Sequence, residues 1–225
     1  MRAVLSYAGR VTDPKPQPVP VRVGGFGGGT GLATYLRNND VTHLVDATHP
    51  FAAQMSRNAV EAAAATGIPL LALTRPAWTQ EQSDDWRHVA DITGAVAALA
   101  GPRRRVLLAL GRMHVAAFAG QPQHHYLLRF VDRPDAAPML PDHHLIVDRG
   151  PFAVAGDVAL LRDHAIDLVV CKNAGGTGAA AKLIAARQLG LPVLMIDRPA
   201  LPERRQVEDI AEVLRWIDHA ADRGV

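Results

Sequence analysis

Short apolar runs alternate with longer stretches of helical periodicity along this chain, and this alternation constrains the fold more than any other feature. Nine runs are predicted strands, at 3–7, 21–23, 42–48, 69–73, 105–110, 125–130, 144–148, 166–171 and 192–197. Seven other stretches are predicted helices, at 30–39, 52–66, 91–100, 112–119, 152–164, 178–189 and 206–222. Because parallel neighbours need a long crossover, usually a helix, the alternation predicts mainly parallel sheets with helices on both faces.

The length of the chain and a break in its pattern indicate two domains. With 225 residues, of which 48% are hydrophobic, the chain fits two domains of about 100 residues each. An alanine-rich predicted helix ends at Gly101-Pro102, and three arginines follow before the next strand. We therefore predict an α/β protein of two Rossmann-like three-layer domains, residues 1–100 and 101–225.

The charge balance indicates a small-molecule partner. Lys and Arg number 24 and Asp and Glu number 22, so no field of one sign favours nucleic acid or a membrane surface. No apolar run reaches the roughly 18 residues of a spanning helix. The single cysteine, Cys171, cannot form an intramolecular disulfide and lies in a core-like strand pattern. We expect a cytoplasmic protein.

The segment 21–32 places six glycines after a predicted strand and before a predicted helix. Bare backbone N–H groups in such a turn can approach a phosphate or a planar ring. The dinucleotide fingerprint G-x-G-x-x-G nevertheless fails in every register. The segment therefore leaves two interpretations open, a ligand-binding turn and a merely flexible one.

A second candidate segment follows the predicted strand that ends near Asp46. Thr48, His49 and Pro50 open the next predicted helix. Loops at the carboxyl ends of parallel strands bind ligands in α/β sheets, so Asp46, Thr48 and His49 are expected to face a crevice. His49 has the titration range of a proton donor, although a helix-capping or loop histidine is the alternative.

A third candidate segment, in the second half, repeats this order. Lys172 and Asn173 follow a predicted strand, and glycines at 175, 176 and 178 precede a helix that contains Lys182. Glycines and lysines together suit phosphates or carboxylates, but the P-loop pattern is absent. An ordinary exposed lysine is the other interpretation of Lys172. Arg112 also follows a predicted strand, and no histidine or cysteine spacing predicts a metal site.

These segments together resemble one family, the precorrin-6A reductases. The resemblance rests on SYAGR (6–10), VGGFGG (23–28), DATHPFA (46–52), RPAW (75–78), KNAGGTG (172–178), AKLIAAR (181–187) and MIDRP (195–199). It covers nearly the whole chain in order, and DATHPFA is its most specific element. It implies an NADPH-dependent oxidoreductase of cobalamin biosynthesis that reduces the precorrin-6A macrocycle to precorrin-6B.

The resemblance also implies roles for individual residues. The residues implied for NADPH are Gly9, Arg10, Gly24, Gly25, Gly27, Gly28, Asp46, Ala47 and Thr48, with Arg10 on the 2′-phosphate. The residues implied for carboxylates of the tetrapyrrole substrate are Arg112, Lys172, Asn173, Gly175 and Gly176. His49 or a water molecule is implied as proton donor, and no metal is expected.

The sequence departs from the family pattern at its start. Family members begin with a strand, a G-G-T-x-E-A turn and a helix, whereas here the second of their strands starts almost at Met1. We expect a truncated sequence or a misplaced start. Three other functions stay open at this point: cobalt-precorrin-6A reductase, a non-catalytic nucleotide- or macrocycle-binding module, and a dehydrogenase of another pathway. The oligomeric state is not predicted.

Overall fold

The computed structural model describes residues 2–8, 16–134 and 136–221. For residues 220 and 221 it describes the backbone only. The chain forms two compact units. Unit 1 consists of Met1–Thr74 and Leu201–Val225, and unit 2 of Arg75–Ala200. The chain therefore leaves unit 1 once and returns to it after unit 2 is complete.

In its described residues, unit 1 contains five short strands in two parallel sheets. Strands β1 and β2 form one sheet, and β11, β4 and β3 form the other in that order. Their bounds are β1 Leu5–Tyr7, β2 Val21–Val23, β3 Leu44–Asp46, β4 Leu70–Leu73 and β11 Gln206–Val207. The helices of this unit are α1 Gly28–Asn38, α2 Ala53–Thr66 and α6 Ile210–Ala221.

Helices α1 and α2 pack on each other through an apolar stripe of each. Their shared core consists of Leu32, Ala33, Leu36, Ala59 and Ala62. The spacing of three and four residues puts these side chains on one face of each helix. Val213 of α6 packs with Leu71 of β4 and Val207 of β11, so the returning segment covers that sheet.

Among residues 75–134 and 136–200, unit 2 forms one six-stranded sheet in which every pairing is parallel. The strand order is β5-β10-β9-β6-β7-β8. The strands are β5 Trp86–Val89, β6 Arg105–Ala109, β7 His125–Phe130, β8 His143–Val147, β9 Leu168–Lys172 and β10 Val193–Ile196. The helices are α3 Ile92–Ala98, α4 Val154–Asp163, α5 Ala181–Leu189 and a 3-10 helix at Arg112–Gly120.

The order of five of these strands is the doubly wound one. From β6 the chain continues to β7 and β8 on one side, and then crosses to β9 and β10 on the other. The order therefore reverses between β6 and β9, which makes this pair the topological switch point of the sheet. In the sheet, Ala109 lies opposite Cys171, so the loops after β6 and β9 begin side by side.

The predicted α/β class with mainly parallel sheets is confirmed, and each of the nine predicted strands overlaps an observed one. Two strands escaped prediction, β5 and β11. The predicted helix at 206–222 begins only at Ile210, because β11 takes up its first residues. In the part of the chain that the structure describes, no helix is long and apolar enough to cross a membrane.

The division into units differs from the predicted boundary at Gly101. Strand β5 lies before that point, yet it pairs with β10 and so completes the sheet of unit 2. Strand β11 lies well after Gly101 in the sequence, yet it pairs with β4 of unit 1. The Gly-Pro break ends a helix within unit 2 and does not separate the units.

Close contact at the start of α1 gives a test of this packing. A Cβ atom on Gly31 would lie 1.8 Å from the carbonyl oxygen of Phe26, so Gly31→Ala must displace backbone. We expect a loss of about 2–3 kcal/mol in the free energy of unfolding, measured by urea titration. Gly156→Ala in α4 is the control, because a Cβ there meets no atom within 4 Å and alanine favours helix. Equal stability of Gly31→Ala and wild type would contradict this close approach.

Candidate functional site

The first cluster of candidate residues lies after β3 in unit 1 and is organised by the Asp46 carboxylate. Thr48 donates to its Oδ1 through the backbone N–H at 3.1 Å and through the hydroxyl at 2.7 Å. Ser56 of α2 donates to Oδ2 at 2.7 Å, and Arg204 binds the same oxygen. The carboxylate is buried, and it fixes the turn to both α2 and the returning segment.

The charge of Asp46 is stabilised by these partners. Burial by itself raises the pKa of a carboxyl group, but the hydrogen bonds from Thr48 and Ser56 and the positive charge of Arg204 outweigh it. The pKa of Asp46 is therefore lowered. With four hydrogen bonds from this chain, the Asp46 carboxylate holds the turn in place.

His49 lies at the exposed side of this turn. Its Nδ1 accepts a hydrogen bond from the backbone N–H of Phe51 at 3.1 Å. In the neutral ring the proton is therefore on Nε2. Ala47 is exposed and Thr48 is half-buried, so the turn presents Ala47 and His49 outward while Asp46 stays inside.

The glycine-rich turn after β2 is the second candidate element of unit 1. Gly24, Gly27 and Gly28 have φ angles of 120°, 85° and 82°, a region that side chains strongly disfavour. Added Cβ atoms at Gly24, Gly25, Gly27 and Gly28 would meet nothing within 4 Å, so open space lies beside this backbone. Arg22 fixes the turn by donating to the carbonyls of Gly24 and Gly25, each at 2.6 Å. Gly9 and Arg10 lie outside the described residues.

The glycine turn leads into α1 in a way that limits where an anion could bind. The first turn of α1 carries no acidic residue. The carboxylate of Glu61, however, lies against Gly29, 2.2 Å from where a Cβ atom would be. An anion would therefore meet repulsion near Gly29 and less of it on the side of Gly24 to Gly28.

The second cluster lies in unit 2, at the switch point of its sheet. Arg112 is exposed and begins the 3-10 helix after β6, and Lys172 is the last residue of β9. Because β6 and β9 are parallel neighbours, both residues lie at the same edge of the sheet. The structure thus brings two of the predicted substrate residues to the position where doubly wound sheets bind ligands.

Asn173 follows Lys172, and its side chain is bonded within the chain. Its side-chain amide is buried, accepts from the backbone N–H of Trp78 at 2.8 Å and donates to the carbonyl of Trp78 at 3.0 Å. Gly175 and Gly176, with φ of 70° and 77°, form the turn that comes next. Asn173 therefore fixes the position of this segment, and the turn at Gly175 and Gly176 follows it in the chain.

Comparisons with known proteins identify the family of this chain. A family model described as precorrin-6x reductase CbiJ/CobK matches residues 1–218. The chain belongs to this family. A precorrin-6A reductase of Rhodobacter capsulatus is 55% identical over 99% of this chain and 90% of its own length. A solved structure of a CobK precorrin-6A reductase has a TM-score of 0.92 at 54% identity and covers 99% of this chain and 89% of that one.

More distant relatives carry a different substrate in their names. A cobalt-precorrin-6A reductase of Priestia megaterium is 28% identical over 76% of this chain and 70% of its own length. The predicted family and its reductase activity in cobalamin biosynthesis are thus confirmed. A redox nucleotide is the cofactor that such an activity implies. No group of three or more metal-ligating side chains occurs among the described residues.

Three residues that shape the candidate site of this reductase escaped the sequence analysis. Arg204 lies 158 positions from its partner Asp46, and no local pattern links the two. Arg22 lies within the predicted strand 21–23, where an arginine gives no signal of its own. Trp78 belongs to the RPAW motif, which contributed only to the family resemblance. Of these three residues, only Trp78 had a signal in the sequence, which was its place in this motif.

The Asp46 network predicts how stability depends on pH. A carboxyl group whose pKa is lowered by folding stabilises the folded state above its unfolded pKa of about 3.9, and this contribution is lost as the pH falls. We expect Asp46→Asn to cost about 3 kcal/mol at neutral pH, since Arg204 loses its counter-charge. The difference from wild type should shrink below about pH 4.

Urea titrations at several pH values test this expectation. Asp40→Asn is the control, because Asp40 is exposed and loses the same charge in the same unit. Its effect should stay within about 0.5 kcal/mol at every pH. A stability difference for Asp46→Asn that is constant with pH would show that ionisation of Asp46 does not stabilise the fold.

Proposed function

We propose that this chain reduces precorrin-6A to precorrin-6B with NADPH as the hydride donor. The observation that carries the proposal is the 55% identity over 99% of the chain to a protein named precorrin-6A reductase. The named cobalt-precorrin relative of Priestia megaterium is 28% identical, which favours the metal-free macrocycle as substrate. The single cysteine is typical of a reducing compartment, and we propose the cytoplasm as the location.

Unit 1 is proposed to bind the cofactor. The open space beside Gly24, Gly25, Gly27 and Gly28 fits a phosphate or a ring in contact with bare backbone. The negative charge of Glu61 next to Gly29 keeps a phosphate on the side of these four glycines. Arg10, with Gly9, is proposed to pair with the 2′-phosphate of NADPH, for which a guanidinium group is well suited.

The turn after β3 is proposed to hold the reactive part of the cofactor. Ala47 and Thr48 follow β3 at the edge of the sheet, where their backbone is proposed to contact the cofactor. Asp46 keeps them in place by accepting two hydrogen bonds from Thr48. NADPH supplies a hydride to one double bond of the macrocycle. The work of the protein is then to orient both partners and to provide a proton.

His49 is proposed as the proton donor. It is exposed at the outer side of the turn, and in its neutral form the proton is on Nε2. The hydrogen bond from Phe51 to Nδ1 also fixes the direction of the ring. A water molecule that fills the same position is the alternative donor.

Unit 2 is proposed to bind the carboxylates of the macrocycle. Arg112 and Lys172 supply positive charge from two neighbouring strand ends. Gly175 and Gly176 supply backbone N–H groups, for which no acceptor exists among residues 16–134 and 136–221. Charge-assisted hydrogen bonds of both kinds are strong enough to orient a polycarboxylate. Asn173 contributes by holding the turn.

Purified protein with each substrate and each nicotinamide cofactor tests the proposal. We expect NADPH oxidation with precorrin-6A, slower oxidation with its cobalt-containing counterpart, and weak activity with NADH. Loss of NADPH absorbance and mass spectrometry of the product measure the outcome. Faster turnover of the cobalt substrate would assign the chain to the other activity. Tight binding without oxidation would indicate a non-catalytic module, and absence of macrocycle binding a dehydrogenase of another pathway.

The role of His49 has a separate test. In His49→Gln we expect kcat to fall about a hundredfold with KM nearly unchanged, because proton transfer matters only in the transition state. His43→Gln is the matched control, since His43 lies in the same unit and contacts Thr42 and Trp216 instead of the turn. Full activity of His49→Gln would transfer the role to water.

A further inference from the structure

The turn after β9 is held against the segment 75–78 by paired hydrogen bonds. Both amide atoms of Asn173 bind the backbone of Trp78, at 2.8 and 3.0 Å. Arg198 adds bonds from Nε to the carbonyl of Asn173 at 2.9 Å and from its Nη2 to that of Arg75 at 2.8 Å. The two segments are thereby connected through side chains where no sheet joins them.

The indole of Trp78 reaches further along the same turn. Its Nε1 donates to the carbonyl of Gly176 at 2.8 Å. Lys182 lies on the face of the ring, with Nζ 4.5 Å from the ring centroid, and donates to the carbonyl of Ala179 at 2.5 Å. Lys182 is almost fully buried, so its ammonium group depends on these two partners. Trp78 therefore holds a carbonyl within the turn, and Lys182 holds the carbonyl of the residue that follows it.

Glycine is required for this close approach. A Cβ atom on Gly175 would lie 2.0 Å from the carbonyl oxygen of Pro76. On Gly176 it would lie 2.8 Å from Cδ of Arg75. The segment 75–78 thus fills the space that side chains at these two positions would need. The RPAW and KNAGG motifs are complementary parts of one contact.

The backbone donors of the turn are not used in this contact. The N–H groups of Gly175, Gly176, Thr177 and Gly178 have no acceptor within the described parts of the chain. The carbonyls of Gly176, Thr177 and Gly178 accept hydrogen bonds from this chain while the donors remain, which suits an anion-binding turn. A turn fixed beforehand binds more tightly, because less conformational entropy is lost on binding.

We propose that Trp78 is a positioning residue for the substrate, whose indole N–H holds the 175–178 turn in the conformation that binds a substrate carboxylate. This inference rests on the proposed function, because it takes the polycarboxylate macrocycle as the ligand of the turn. Trp78 acts through the backbone of the turn and touches neither the cofactor nor the reacting atoms. Its loss therefore weakens binding in the ground state and in the transition state alike.

Trp78→Phe tests the proposal, because it keeps a ring over Lys182 and removes the N–H. We expect KM and Kd for precorrin-6A to rise about five- to tenfold, the effect of one hydrogen bond, with kcat changed less than about twofold. Trp216→Phe in α6 is the matched control and should leave both constants unchanged. The affinity for NADPH should be the same in all three proteins.

The design separates this inference from the function on which it rests. If the wild type fails to bind and reduce precorrin-6A, the proposed function is at fault. If the wild type is active and Trp78→Phe keeps its KM and Kd, the positioning role is overturned. A merely structural role would reduce the folded fraction and so lower the apparent kcat without a change in KM, and that result would also overturn it.

A spectroscopic measurement tests the same contact directly. In the double variant Trp86→Phe, Trp216→Phe, Trp78 is the single tryptophan, since the chain has three. Because its N–H binds the turn itself, addition of precorrin-6A should shift the emission of Trp78. The fluorescence titration should give the same Kd as the measurement of substrate binding. Because a carboxylate bound to the turn would lie near the indole, emission that stays constant while precorrin-6A binds would show that the substrate binds elsewhere and would overturn the positioning role.

Discussion

The pairing of β6 with β9 at the centre of the six-stranded sheet determines where the remaining parts of unit 2 can lie. Leu107, Leu108, Val169 and Val170 are fully buried, so these strands present no face to water. All pairings are parallel, and every carboxyl end therefore lies at one edge of the sheet. Because the chain leaves β6 towards one side and β9 towards the other, the loops diverge there and a crevice results. The placement of Arg112 and Lys172 follows from this topology alone.

Strands of this buried kind are also the ones that a single sequence predicts well. Runs such as RVLLAL and IDLVVC are apolar throughout, since both of their faces lie in the core. β5 is only four residues long and carries Arg87 and His88 in an edge position, so its pattern is that of a loop. β11 has two residues, too few for any period.

The division into units and the role of Asp46 share one reason for escaping prediction. Both depend on the segment that returns to unit 1 after residue 200. This segment supplies β11 to the sheet and Arg204 to the carboxylate, and each contact joins positions more than a hundred residues apart. Local periodicity carries no information about such pairings. The position of Asp46 at the end of a strand was predictable, but the guanidinium that neutralises it was not.

The two clusters follow a common rule that sequence alone does not supply. In each, one buried polar side chain after a strand is bonded within the chain: Asp46 accepts four hydrogen bonds, from Thr48, Ser56 and Arg204, and Asn173 makes two with Trp78. A change that left these partners unpaired would be costly. Motif residues such as His49 and Arg112 are more exposed. Burial therefore separates the motif residues that fix the turns from those that lie at the surface.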